Sequence, residues 1–388
     1  MSFQAFKLPS CLAFGMLAAC SSGEKLYQPG APSMISVESV DWNPGNADVG
    51  MVSGVAEVGD ATVVYSDKGA LVFSGGAVSA SDNSVLKWTY ASTIPAGDGT
   101  GTSWAVGLDD QGRILRLEAR MTLEDVSDRY GLRGTKVLGV VNMGQYVGFA
   151  LEKEFAVGDG STVIHYDGAL HAVSGGLSKL AGLKDDGSVF LFDARTQKGA
   201  SFQISGASAT AIDSGGRLVV AGKDGIWVQP LADLSSELQR AFDTKAAPIH
   251  GMVLSGSRVW FAFGTELGAL DPQGAYRTQG ANIPGDAQLF ASPSGDVWTL
   301  SAGKLTRSAI PVTGDEAVWR KTVQPVYVKV CADCHAPGGS SGIDLSSYAA
   351  WSQRKALIYD RVVVKKNMPQ GRTLDDADMM SIADWSKP

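Results

Sequence analysis

Cysteine and histidine are scarce in this chain, four of each among 388 residues, and that shortage sets the first exclusions. A structural metal site assembled from four Cys and His side chains has few places in which to form. Long apolar runs are missing as well: the run at 11–19 is far too short to span a bilayer. Lys and Arg never gather into a run or stripe, and the formal charge is −7, so the electrostatic footprint of a nucleic-acid-binding protein is absent. What is present is 44% hydrophobic residues, only 19% charged residues and 47 glycines. Such a composition describes a globular, turn-rich and β-rich chain, long enough for about two domains with a sizeable core.

Residues 1–19 read as an export signal. Lys7 supplies the positive charge, an apolar stretch follows, and Leu17-Ala18-Ala19 precedes Cys20. The tetrad Leu-Ala-Ala-Cys resembles the lipobox of bacterial lipoproteins. That resemblance implies cleavage before Cys20, acylation of Cys20 and stable anchoring through several acyl chains. Ser21 behind it, in place of Asp, implies the outer membrane, on its periplasmic face or at the cell surface. An ordinary secretory signal with an incidental cysteine is the competing reading. Residues 20–34, rich in Ser, Gly and Pro, suit a flexible tether.

Cys11 belongs to the signal and Cys20 to the lipid, which leaves Cys331 and Cys334 in Cys331-Ala332-Asp333-Cys334-His335. No cysteine is spare for a disulfide. Two thiols three positions apart at the end of a helix can each add to a haem vinyl group, and the adjoining histidine is then directed at the iron. This is the c-type haem attachment signature, with Cys331 and Cys334 as covalent anchors and His335 as an axial ligand. A structural zinc site would need four ligands, commonly with a second Cys or His pair, and no Cys or His follows His335. A thioredoxin-like dithiol would want a βαβ setting that this helical tail does not offer.

For the second axial position the choice falls on Met368, Met379 or Met380. Pro369 ends the helical pattern before Met368 and leaves that side chain on a turn, whereas Met379, Ile382 and Ala383 recur at helical spacing and suit a core for Met379 and Met380. A helix running into C-x-x-C-H, short helices, a Met-Pro loop and a closing aromatic-bearing helix together resemble the small class I cytochromes c. The resemblance implies a small all-α domain at 313–388 holding one covalent haem c, its iron between His335 and Met368, with an open or water-ligated iron as the alternative to Met368. One face of the entry helix is marked by Val318, Thr322, Pro325, Val326 and Val330, with Pro325 in the first turn of a second helical segment. Trp385 is expected on the closing helix against it, and Tyr348, Trp351 and Tyr359 as crevice or core aromatics. Arg354, Lys355, Arg361, Lys365, Lys366 and Arg372 flank Met368. They suit docking of an acidic redox partner protein, or form an ordinary solvated helix face.

Between 35 and 312, short β-prone segments recur with Gly, Asp or Ser at their tips, near 59, 112, 144, 187, 216, 256 and 295. Their average interval of about 39 residues matches the length of a β-propeller blade. Second pairs such as 223–230 and 161–173 would complete four strands per blade. The expected fold is therefore multidomain: an all-β propeller of six or seven blades, with a β-sandwich pair or β-helix as alternatives, followed by the small all-α domain. No repeat carries the W-D or kelch chemistry, the glycines at 97–101 open no helix, and His165, His171 and His250 read as structural. The functional expectation is an exported, membrane-anchored electron carrier whose propeller is a scaffold or docking module. The alternatives are a quinoprotein-like propeller oxidoreductase using the haem as its outlet, and a partner-binding propeller with a haem redox sensor.

Overall fold

A computed structural model describes residues 32–387 apart from 43–47, 59–60, 75–76, 81–89, 95–103, 119–122, 336–340 and single or paired positions elsewhere. Strands dominate residues 33–309, and helices occupy 314–386. Among the described residues the strands form seven sheets. Five are four-stranded antiparallel meanders contiguous in sequence, at 52–80, 90–125, 137–167, 171–202 and 209–243. The sixth, 249–279, gains the strand Ser33–Ser36 in parallel with Gly274–Gln279. In the seventh, three strands at 288–309 are completed by Glu38–Asp41, antiparallel to Lys304–Ala309. The first strand of each sheet packs beside the first strand of the next, all the way round, so the sheets are the blades of a closed seven-bladed β-propeller.

Each of the seven junctions between neighbouring blades encloses its own apolar cluster. Ala56 and Tyr65 meet Leu115 between blades one and two, Phe242 packs against Phe261 and Phe263 between five and six, and Val55 and Val64 meet Trp298 and Leu300 at the seam of seven and one. The remaining four junctions are built alike. Because blades cover both faces of a middle strand, Val147–Leu151 and Leu218–Gly222 are buried along their whole length. Such strands read as continuous apolar runs rather than alternating ones. Each fully buried Val, Leu or Phe contributes roughly 1.5–3 kcal/mol, so the junctions carry most of the fold's stability.

The structure resolves the expected six or seven blades to seven, and it corrects the repeat register. The tips near 59, 144, 216, 256 and 295 join first to second strands, but those near 112 and 187 join second to third. The stretch 161–173, taken for a second pair within one blade, runs from the outermost strand of blade three, Val163–Asp167, into the innermost strand of blade four, His171–Gly176. A turn residue between two β runs signals a hairpin whichever face it lies on, so spacing alone could not tell these apart. The strand Ser33–Ser36 also takes in the last two residues of the segment read as tether.

Polar contacts close the seam. Glu57, on the innermost strand of blade one, accepts a hydrogen bond from Trp298 Nε1 at 2.9 Å and from Ser292 Oγ at 2.8 Å, both in blade seven. Replacing Glu57 by alanine strands a largely buried indole N–H and removes a charge-assisted bond, which should lower stability by about 2–4 kcal/mol. Urea unfolding of the two proteins measures this directly; coincident midpoints would mean that the apolar cluster alone holds the seam.

Strand direction fixes where the helices start. The third strand of a blade returns to the face that carries the first tip, so the chain leaves Lys304–Ala309 beside the tip at Gly295 and enters a helical run, 314–335. Gly256 (φ +58°) and Gly295 (φ +89°) lie so close that a Cβ on Gly256 would sit 2.8 Å from Gly295 Cα. Arg320 Nη1 and Gln324 Nε2 of the helical run approach these two tips.

The run alternates α-turns, Gly314–Val318, Gln324–Val326 and Ala332–His335, with wider π-turns, Trp319–Val323 and Tyr327–Cys331. Pro325 lies in the first turn of the second α segment, as expected. The buried face, however, is Trp319, Val323, Val326 and Tyr327, while Val318 is 49% exposed and Pro325 is exposed. Of the expected face only Val326 is buried: each π-turn rotates the next α-turn away from a 3.6-residue count, and the aromatics take the inside. Short helices Tyr348–Gln353 and Lys355–Ile358, a π-turn Tyr359–Val364 and the closing helix Asp376–Ser386 finish the chain. Asp375 caps the closing helix by accepting from Asp378 N at 2.8 Å. Trp385 lies on it against the entry run, donating to the Asp315 carbonyl at 3.3 Å. Among the described residues no helix is long and apolar enough to cross a membrane.

Candidate functional site

The helical unit is organised around one cluster: Trp319, Val323, Val326, Tyr327, Leu345, Trp351, Ile358, Val362, Ile382 and Trp385. Trp351 is its centre, 1% exposed, with the rings of Tyr327, Trp319 and Trp385 at centroid distances of 6.2, 6.3 and 6.1 Å. Tyr348 packs on the edge of the cluster, and Tyr359 is half-buried.

Cys331 closes the last π-turn and is partly buried against this cluster. Cys334, exposed, and His335 stand in the terminal α-turn Ala332–His335, so the motif does lie at a helix end. Neither cysteine is in a disulfide. The chain then folds back over the histidine. His335 Nδ1 is 3.1 Å from the Ile343 carbonyl and 3.0 Å from Ser341 Oγ, while the His335 carbonyl accepts from Leu345 N at 2.8 Å. Trp351 Nε1 donates to the Leu345 carbonyl at 2.6 Å, fixing the returning loop to the core. A carbonyl can only accept, so the proton of the neutral imidazole sits on Nδ1 and the lone pair on Nε2. That is the state in which an imidazole ligates a metal.

Met368 follows the π-turn Tyr359–Val364, whose end is held by Lys365 N to the Asp360 carbonyl at 2.8 Å and Asn367 N to the Arg361 carbonyl at 3.0 Å. The Met368 side chain is partly buried against the same cluster as Cys331. The structure thus brings Cys331 and Met368 to the border of one apolar core. Met380, expected to pack in a core, is instead 62% exposed, and the buried face of its helix is Ile382, Trp385 and Ser386. Cys20, the signal at 1–19 and the tether as far as residue 31 lie outside the described residues.

The basic residues around Met368 are partly neutralised. Lys355 pairs with Asp315 at 3.1 Å and lies 4.4 Å over the Trp385 ring, and Lys365 pairs with Asp360 at 2.7 Å. Arg361 and Lys366 are exposed. In the propeller each histidine is tied locally: His165 to Glu154 at 2.8 Å, His171 to Asp185 at 2.6 Å and His250 to the Gly264 carbonyl at 2.8 Å. Asp109 and Asp213 cap hairpin tips, accepting from Arg113 N and Arg217 N at 2.7 and 2.9 Å. Among the described residues no three His, Cys, Asp or Glu side chains are grouped to hold a metal ion by themselves.

Sequence reading missed the loop that orients His335. Ser341, Ile343 and Leu345 carry no motif, and their only signal is the turn-rich composition that follows the histidine.

No family model matches the chain, and no curated protein matches it. Solved structures do. A streptogramin B lyase aligns at a TM-score of 0.53 with 11% identity, over 71% of this chain and 98% of its own. The β-propeller domain of Swd1 from Myceliophteria thermophila aligns at 0.51 with 13% identity, over 70% and 100%. A catalytically inactive virginiamycin B lyase from Staphylococcus aureus, solved with quinupristin, aligns at 0.50 with 14% identity, over 71% and 100%. At such identities the likeness concerns fold alone, and the chain carries a seven-bladed β-propeller followed by a small helical unit.

Proposed function

We propose that the helical unit binds one haem covalently through Cys331 and Cys334, with His335 and Met368 as axial ligands of the iron, and that the chain is an electron carrier rather than a catalyst. The observation that carries this reading is the donor set: two thiols outside any disulfide, an imidazole whose Nδ1 proton is given to a backbone carbonyl, and a thioether bordering the same apolar core as Cys331. The haem would supply the one-electron couple, its potential set by the axial pair and by burial. The chain's own part is to anchor, orient and shield. Cys331 and Cys334 would hold the group at the helix end, the Ile343 carbonyl keeps the His335 lone pair on Nε2, and the aromatic cluster would exclude water from one side.

By the same reading the propeller is a scaffold or docking module, and Cys20 carries the lipid that ties the protein to the outer membrane. A redox partner protein would meet the helical unit on the side of Arg361 and Lys366, and such steering weakens as salt rises.

The test is expression of the exported protein with c-type maturation machinery, followed by haem staining under denaturing conditions and absorption spectroscopy. In the Met368→Ala protein the weak far-red band of methionine ligation should vanish, the midpoint potential should fall and the iron should become open to carbon monoxide. A variant with an unchanged spectrum would move the ligand elsewhere. Reduction of the haem by a small substrate alone would favour an oxidoreductase.

A further inference from the structure

Ser341 stands where the imidazole of His335 meets the backbone that orients it, and three hydrogen-bond distances converge on its hydroxyl. Oγ lies 3.0 Å from His335 Nδ1 and 3.2 Å from the Ile343 carbonyl, and it accepts from Ile343 N at 3.1 Å. The backbone repeats the tie, Ser341 N donating to the Cys334 carbonyl at 3.1 Å. One arrangement satisfies all of these. The hydroxyl donates its hydrogen to the Ile343 carbonyl, and its lone pairs accept from Ile343 N and from His335 Nδ1–H. The imidazole N–H is then shared between two acceptors, Ser341 Oγ and the Ile343 carbonyl.

We infer that Ser341 is a positioning residue for the iron ligand, tuning the basicity of His335 Nε2 through the Nδ1 proton; this rests on the proposed haem site. A second acceptor draws the Nδ1 proton further from the ring and leaves more electron density on Nε2. A more basic imidazole favours the oxidised, more highly charged iron over the reduced one. The hydroxyl also closes the loop between Ser341 and Ile343, so it holds the plane of the ring as well as its charge. Glycine or alanine there would keep the backbone bond to Cys334 and lose both effects.

Three proteins test this: wild type, Ser341→Ala and Ser341→Thr, each matured with covalent haem and examined by redox titration and by proton NMR of the ligand histidine. Only the difference in that hydrogen bond's strength between the two oxidation states moves the equilibrium, so the reduced-to-oxidised ratio should shift toward reduced by at most about fivefold when S341A is poised at the wild-type midpoint. The Nδ1 proton resonance should move, and S341T, which keeps the hydroxyl, should return both to near wild type. Covalent haem in S341A with midpoint and Nδ1 resonance unchanged would overturn the role of Ser341 and leave the haem reading standing. A wild-type protein that takes up no covalent haem would overturn both. A shift in S341T as large as in S341A would assign the effect to bulk in the loop and overturn the hydroxyl's role.

Discussion

Changing Cys331 and Cys334 together to alanine should abolish covalent haem, leaving no haem-stained band after denaturation, while the propeller keeps its fold. The expectation rests on where the two side chains lie. Cys331 borders the cluster of the helical unit and takes no part in any blade junction, and Cys334 is exposed. Removing both thiols deletes the attachment chemistry and shortens one partly buried side chain at the border of the cluster, so stability should change by about 1 kcal/mol. The two single variants add resolution, because each leaves one thioether bond possible and should retain a reduced fraction of stained protein. Staining of the double variant at wild-type strength would sink the proposed function outright. Loss of the propeller's unfolding transition would show that the packing account of the helical unit is wrong.

Trp351→Ala should do the reverse, destabilising the unit while leaving both thiols in place. Trp351 is the most buried aromatic of its cluster and the donor that holds the Leu345 carbonyl. Truncation empties a cavity the size of an indole and leaves that carbonyl without its partner, with an expected loss of about 3–5 kcal/mol. Among the described residues the core of the unit is one cluster of ten buried side chains, so that loss is most of the stability available. Hydrogen exchange is the appropriate measurement: protection in 314–386 should collapse, protection in the seven blades should persist, and haem uptake should fall because the loop over His335 is no longer fixed. Protection lost equally in both parts would mean that the helices and the propeller unfold as one body.

The two halves of the chain were legible in the sequence to different degrees, for physical reasons. In the propeller, Gly at hairpin tips and β-branched runs between them revealed the architecture, because a turn with positive φ and a buried strand each demand particular residues. The assignment of tips to strand pairs was not legible, since a hairpin at 112 and one at 144 look alike although they lie on opposite faces of the ring. In the helical unit, Cys331, Cys334 and His335 stood out because the proposed haem attachment would fix residue type and spacing together. The burial of Trp319 and Val323 in place of Val318 and Thr322 did not, because it depends on π-turns that no simple periodicity encodes. The environment of His335 was illegible for a different reason: Ile343 acts through its backbone carbonyl and N–H, which any residue can offer, and the single hydroxyl of Ser341 belongs to no pattern of residue type and spacing.

The strands Ser33–Ser36 and Glu38–Asp41 set the order in which the ring can close. They are made first, yet their partners, Gly274–Gln279 and Lys304–Ala309, belong to the last two blades to be made. The leading end of the emerging chain must therefore wait, with its strand edges unsatisfied, through the synthesis of nearly the whole ring. Blades one to five can each pair within themselves as they appear, whereas the final closure spans some of the longest separations in the chain and is expected to be its slow step. A ribosome that stops short of residue 304 releases a ring that no sequence upstream can finish.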